Sequence, residues 1–448
     1  MAAYPAPSAL LQLPRHDPPR PGCLCFRTRA GLTTRFQERE LRQIATITNG
    51  DPIPRPLSLC IAFPQRPLLR TAADGGARGN AYLTRLYREI AMSAELFDRD
   101  RQVEQVHVLD YALRHLHADQ LAEAMDVIGR HYSWAAPERT LRSVELEPAS
   151  TRRADIPALV DAGFNRAVFN LDSDLDSDIP ALAGLVEDLR QHGLRNIHVN
   201  LSGRLFEQPS AELDALLTQV LALRPDRLGL RRQARPPLPE TGQQTGNEEA
   251  ATGVQPDGFE NLAQRVEAAG YVHIGLGCFT PPDNRLALAD RQEELRCDLL
   301  GYTTRAESDI VGLGVGALSH IGSCLSQNPR DLPSWEDAID HGRLPTWRGM
   351  QLDENELLRA ELIQQLVCQG ALDYTAIGRQ YGIDFRQRFA NALTRLETLA
   401  AQGLVELHPT RLHVTVRGRL ALPALAACFD PHPAADGDVL RPHIARIP

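Results

Sequence analysis

From residue 56 to residue 276, short apolar runs alternate with stretches of helical periodicity, and this alternation restricts the fold more than any other feature of the chain. The runs fall at residues 57–63, 105–109, 143–146, 166–171, 196–201 and 227–230, with a seventh at 271–276. Between them, residues 80–97, 118–131, 179–192 and 212–223 repeat apolar positions every three to four residues, the period of a helix with one buried face. A helix between two strands carries the chain back to the end where the first strand began, so such strands pair in parallel. Six units of this kind predict a partial parallel (β/α)6-type barrel rather than a short doubly wound sheet.

A chain of 448 residues has room for a second domain. Residues 1–54 are rich in Pro and Arg and read as an irregular N-terminal arm with one short helix near 37–46. The barrel is expected over 55–330. It carries a polar Pro/Gly/Glu-rich insert at 233–257, which has too little apolar surface to offset its ordering entropy and reads as a mobile loop. Residues 331–430 read as a mainly helical domain, with helices at 353–368 (behind an Asp cap), 374–381 and 385–402. A small hairpin at 403–407 and 411–416 completes a winged-helix-like outline, and 431–448 form a tail.

The net charge of -9 argues against a nucleic-acid partner, which selects for a basic face. All 48 basic residues are arginines, so neither a Schiff-base lysine nor a lysine general base is available. No run of about 18 apolar residues predicts a membrane span, and the N-terminus lacks the pattern of a signal peptide. The eight cysteines are scattered rather than spaced as a disulfide framework. The expectation is a cytoplasmic monomer with reduced thiols.

Several motifs carry more specific information. They include Gly301-Tyr-Thr-Thr304, Asp309-Ile-Val-Gly-Leu-Gly-Val-Gly-Ala-Leu-Ser319, Ile321-Gly-Ser-Cys-Leu-Ser-Gln-Asn328 and Trp347-Arg-Gly349. Pro56-Leu-Ser-Leu59, Glu145-Leu-Glu-Pro148, Gly163-Phe-Asn-Arg166 and Pro225-Asp-Arg-Leu228 place the barrel strands. In sequence and spacing the set resembles the oxygen-independent coproporphyrinogen III oxidase family of the radical S-adenosylmethionine superfamily, over about residues 55–430. The resemblance implies a radical-SAM-like barrel with a helical C-terminal domain, a place in haem and porphyrin biosynthesis, and a [4Fe–4S] cluster that reduces S-adenosylmethionine.

The chemical positions depart from that pattern. The family's C-x3-C-x2-C cluster motif follows the first strand. Laid without gaps on this chain, its three cysteines fall on Arg66, Arg70 and Ala73, while Cys60 and Ala62 stand at a tyrosine and a histidine. A guanidinium is a permanent cation with no lone pair to offer iron. The family's glycine-rich segment after the second strand becomes Leu109-Asp110-Tyr111, its ribose-contacting Gln becomes Asp172, and an interior Asp becomes His198. Glu145 is the polar cofactor contact that survives, and Leu299, Leu300 and Leu318 match the hydrophobic positions of a second S-adenosylmethionine pocket.

No metal is therefore expected at the usual place. Cys23-Leu-Cys25 on the N-terminal arm, together with Cys60, is an alternative ligand set; the plainer reading is two arm thiols and one core cysteine. Arg66 and Arg70, with Arg204, Arg231, Arg232 and Arg235, fall where the family's cavity is lined, and arginine forks recognise carboxylates. Coproporphyrinogen carries four of them, so these residues are candidates for an anion or tetrapyrrole site, against the alternative of solvated surface arginines. His107, His115 and His117 read as surface or loop histidines, and His198 as a core one.

Two functions follow. The first is a degenerate homologue of coproporphyrinogen III oxidase that binds a tetrapyrrole or a partner without radical chemistry and without a cofactor. The alternative is an active coproporphyrinogen III dehydrogenase, decarboxylating two propionates to give protoporphyrinogen IX with a 4Fe-4S cluster and S-adenosyl-L-methionine. A regulatory protein acting through its winged-helix-like end is a third and weaker class.

Overall fold

A computed structural model describes residues 32–64, 75–109, 112–171, 175–202, 205, 210–231, 256–305 and 307–430. Six strands follow one another in parallel: β1 (Leu57–Ala62), β2 (Val103–Val108), β3 (Leu141–Leu146), β4 (Arg166–Leu171), β5 (Asn196–Ser202) and β6 (Arg227–Arg231). Two short antiparallel strands, β7 (Val272–Gly275) and β8 (Cys278–Thr280), finish that edge. The strands β9 (Arg296–Asp298) and β10 (Gly301–Thr303) form a separate hairpin. Then β11 (Asp309–Gly314) lies parallel beside β1, and β12 (Leu318–Ile321), β13 (Cys324–Gln327) and β14 (Arg348–Gln351) continue antiparallel. The sheet has twelve strands in the order β14-β13-β12-β11-β1-β2-β3-β4-β5-β6-β8-β7, and its two edges do not meet. It is the expected open parallel barrel, widened by antiparallel strands at both ends.

Strand alternation separates two environments. Leu57, Leu59 and Ile61 of β1, Phe169 and Leu171 of β4, and Val199 and Leu201 of β5 turn outward into a core shared with the helices Gly75–Ala94, Ala118–His131 and Leu175–Gln191. Each such side chain, fully buried, contributes about 1.5–3 kcal/mol. Residues of the opposite phase, such as Ser58, Cys60, Gln105, His107, Ser143 and Glu145, are buried on the inner face.

The seam between β1 and β11 shows what the Gly-rich and Gln-Asn motifs do. Glu89, buried on the helix after β1, accepts the Gly314 amide (2.8 Å), Asn328 Nδ2 (2.7 Å) and Trp335 Nε1 (3.0 Å). Asn328 Nδ2 also donates to the Gly314 carbonyl, and Tyr82 Oη donates to the Ala62 carbonyl at 2.7 Å. Gly314 has φ +95°, and a Cβ there would run into that same Ala62 carbonyl, so only glycine fits. At the other end of the seam the buried Arg101 pairs with Asp309 at 2.6 Å and bonds Thr48 Oγ1 and Asn49 Oδ1 at the end of the helix Glu38–Asn49.

Residues 331–351 join the large sheet, not the C-terminal helices: β14 pairs with β13, and Trp335 and Ile339 enter the sheet's core. A second core follows, built from the helix Glu354–Gln369, the helices after it and Tyr302, Cys297 and Ile274. There β15 (Ala371–Asp373), β16 (Val405–Leu407) and β17 (Arg411–Val414) form a three-stranded sheet in the order β15-β17-β16, the winged-helix-like outline expected. The helix expected at 385–402 is broken in two at Phe389, whose φ -110°, ψ 24° leaves helical space while its ring stays buried between Phe385 and Phe429. Among the described residues no helix is long and apolar enough to cross a membrane.

Candidate functional site

Two short devices set the inward-facing side chains. At the start of β4, Asn165 accepts the Arg142 amide (3.0 Å) and donates to the Thr140 carbonyl (3.0 Å), which ties the strand to β3. At the start of β6, Asp226 accepts the Ile197 amide at 2.8 Å and ties that strand to β5. In both places the next residue is an arginine that opens the strand, Arg166 or Arg227. Parallel register then fixes their direction. Cys60, His107, Ser143 and Arg166 are successive partners across β1 to β4, and His198 is the partner of Arg227, so all of these face the barrel interior.

The interior has an apolar half and a polar half. Under β1, β11 and β12, Cys60, Leu109, Leu299, Leu300, Ile310 and Leu318 form one apolar cluster. Under β3 to β5 runs a buried chain of side chains: Asn200 Nδ2 donates to Asn170 Oδ1 (2.8 Å), and Asn170 Nδ2 donates to Glu145 Oε1 (3.1 Å). Glu145, Leu299, Leu300 and Leu318 are all buried inside the barrel, and the three leucines belong to one cluster.

At the amino ends of β4 and β6 lies a group of charges that the sequence reading did not assemble. It comprises Arg166, Arg227, Arg305 and Asp298, with His107 beside them. Burial lowers Arg166 to about 9, helped by Arg227 and Arg305. Burial likewise raises Asp298 to about 6, against the pull of the Leu300 and Gly301 amides, Arg227 and Arg166. Burial, then Arg166 and Arg305, hold His107 neutral at about 3. His107 and His115 are therefore core residues and not the surface or loop histidines expected: His107 lies on a strand whose inner face is buried, and His115 stacks on Phe63 at 5.3 Å. His117 is indeed outside, capping the helix Ala118–His131. The only sequence signal for the charge group was the Asn-Arg and Asp-Arg pair at two strand starts.

The described thiols do not converge on one site. Three thiolates must converge to hold a [4Fe–4S] centre in this family, and no cysteine occurs between Cys60 and Cys278. Segments 65–74 and 110–111, which follow β1 and β2, therefore carry none. The described cysteines are all buried and belong to different cores: Cys60 to the barrel interior, Cys324 to the core between sheet and helices, and Cys278, Cys297, Cys368 and Cys428 to the C-terminal core. Burial, and then Asp298, push the Cys60 thiol well above its usual range, which disfavours the thiolate that a metal needs. Among the described residues no group of three His, Cys, Asp or Glu is placed to hold a metal ion. Cys23, Cys25, Arg66, Arg70, Ala73, Asp110, Tyr111, Asp172, Arg204, Arg232 and Arg235 lie outside the described residues, as do the side chain of Arg231 and the insert at 233–255.

The fold and the motifs have known counterparts. Residues 352–421 match the family model of the HemN C-terminal domain. The oxygen-independent coproporphyrinogen III oxidase of Pseudomonas aeruginosa is 31% identical over 365 residues, which is 79% of each chain. That of Escherichia coli is 28% identical over 365 residues, and that of Helicobacter pylori 25% over 441 residues, 93% of this chain and 95% of the relative. Among solved structures, coproporphyrinogen III oxidase (HemN) from Escherichia coli, described as a radical SAM enzyme, superposes with a TM-score of 0.78 at 27% identity, covering 89% of this chain and 95% of its own. The chain belongs to the oxygen-independent coproporphyrinogen III oxidase family.

Proposed function

We propose that this protein is a member of its family that no longer performs radical chemistry and uses the barrel to bind an anionic tetrapyrrole. The observation that carries the reading is the missing thiols. The strand that leads into the family's cluster loop is intact, yet from Ala62 to Gly277 the chain has no cysteine. Two of the three cysteine positions are arginines, which exchange anionic ligands for fixed cations. The loss is not confined to that loop. It extends to the glycine-rich segment after β2 and to two polar contacts further on, while the bonds that hold β1 against β11 remain. Selection for folding and for a binding cavity, with none for a cluster, accounts for that pattern.

Arg66 and Arg70 are the residues proposed to take the carboxylates, because a guanidinium fork matches a propionate in shape and charge. Binding needs neither iron nor S-adenosylmethionine. The test is a titration of the full-length protein with coproporphyrin III, free of iron and followed by porphyrin absorbance. The expected result is saturable 1:1 binding that weakens about tenfold or more in Arg66→Ala/Arg70→Ala, the scale of one lost charge-assisted hydrogen bond. Equal affinity in wild type and variant would remove these arginines from the site, and no saturable binding would remove the tetrapyrrole.

A further inference from the structure

We propose that the foot of the barrel is a second binding site, in which Arg166, Arg227 and Arg305 hold a small oxyanion of the carboxylate or phosphate class. The site is at the amino ends of β4 and β6, whereas the segments bearing Arg66, Arg70, Asp110 and Tyr111 follow the carboxyl ends of β1 and β2. His107 joins it from the penultimate position of β2, so its residues are distinct from Arg66 and Arg70.

The reasoning begins with unmatched charge. Arg305 is near Glu104 (3.7 Å), which also pairs with Arg139, so this part of the group has its counter-ion. Arg166 and Arg227 have none within ion-pair distance among the described residues. The Arg166 side chain makes no hydrogen bond to the described residues, and that of Arg227 makes one long contact, from Nη1 to the Tyr302 carbonyl at 3.4 Å. The Nε of each is shut off from solvent with no partner. Asp298 is a carboxylate that both of them feel, but one of its oxygens already accepts the Leu300 amide at 2.7 Å. The neutral His107 adds a third unpartnered nitrogen, Nε2, also out of solvent.

A guanidinium Nε shut off from solvent without an acceptor is costly, and most buried donors in folded proteins have a partner. An oxyanion does so: it accepts from the two guanidinium groups and from the imidazole N–H, and its charge offsets the excess of cations. Arginine suits this task because its planar fork meets two oxygens at once.

The β9–β10 hairpin suggests how such a site would be sensed. Asp298, Leu299 and Leu300 face the barrel, while Cys297 and Tyr302 pack in the C-terminal core, where Tyr302 Oη donates to the Val367 carbonyl at 2.9 Å. An anion that orders Arg227, whose Nη1 reaches the Tyr302 carbonyl, would therefore also act on the helix Glu354–Gln369.

The test is calorimetric titration and thermal unfolding of the full chain with inorganic phosphate and, separately, succinate, at ionic strength fixed with sodium chloride. The expected result is saturable binding of one or both, with a rise in Tm as the anion saturates. Whichever anion saturates more tightly identifies the ligand as phosphate or carboxylate. In Arg166→Met the affinity should fall about tenfold or more. Its anion-free Tm should equal or exceed that of wild type, because a half-buried cation without a counter-ion has been removed. Arg166→Lys, which keeps the charge and loses the fork, should bind with intermediate affinity. Arg227→Met, made in parallel, should lose affinity in the same way. The proposal is overturned if neither anion binds wild type saturably, if Arg166→Met binds as well as wild type, or if both methionine variants fail to fold, which would make the arginines structural.

Discussion

Asn165 and Asp226 perform one task at two strand starts: each ties its strand to the neighbouring backbone, and each is followed by an arginine that points into the barrel. Both pairs stand plainly in the sequence, where they serve only as markers of strands. Their meeting with Asp298 and Arg305 was not legible, because it joins residues some seventy to 140 positions apart from a strand pair and a separate hairpin. The interior position of Glu145 and the three leucines was legible because they sit in or beside motifs that place the strands. The burial of Glu89 was not, since nothing around it on its helix announces an inward-facing carboxylate. Burial raises this carboxyl from 4.5 to about 7, although three donors hold it. An acid with a raised pKa gives its full stability below pH 4.5, where both states are protonated, and loses it as pH climbs to about 7. The loss is roughly 3 kcal/mol. Asp298 acts in the same direction, so a variant is needed to isolate Glu89. Urea unfolding of Glu89→Gln at pH 5 and pH 8 should show a drop in stability about 2–3 kcal/mol smaller than that of wild type. Parallel pH profiles for the two proteins would refute the assignment.

Among elements, the parallel strands β1 to β6 were readable because strands buried on both faces appear as near-continuous apolar runs with helices between them. The antiparallel additions β8 and β12 to β14 were not. They are three or four residues long, contain Gly, Ser and His, and owe their shape to the strand beside them. Phe389 divides a pattern that reads as one continuous helix, because ring packing outweighs helical continuity there. The seam of β1 and β11 is the element that positions the mouth, and Arg101 with Asp309 closes its lower end. Arg101→Leu leaves the buried Asp309 carboxylate without its cation and should cost about 3–5 kcal/mol. The double variant Arg101→Leu/Asp309→Leu should recover part of that loss in chemical denaturation. A double variant as unstable as the sum of the two singles would show that the pair is not coupled.

At the scale of the whole molecule, the proposed reading is that the two parts of the family's design have separated. The scaffold is maintained in detail, from the bonds around Gly314 and Asn328 to a C-terminal core that packs on the β9–β10 hairpin. The thiol ligands, which contribute nothing to that packing, are gone from every segment between β1 and β8. On that reading the barrel has exchanged thiolates for cations, which suits anion binding and not electron transfer. The most direct measurement is iron and sulfide per chain after anaerobic reconstitution of the full-length protein, combined with an assay for reductive cleavage of S-adenosylmethionine. The account predicts no stoichiometric cluster and no cleavage above the protein-free control. A [4Fe–4S] centre at one per chain that cleaves S-adenosylmethionine, and that is lost in Cys23→Ser/Cys25→Ser or in Cys60→Ser, would contradict it.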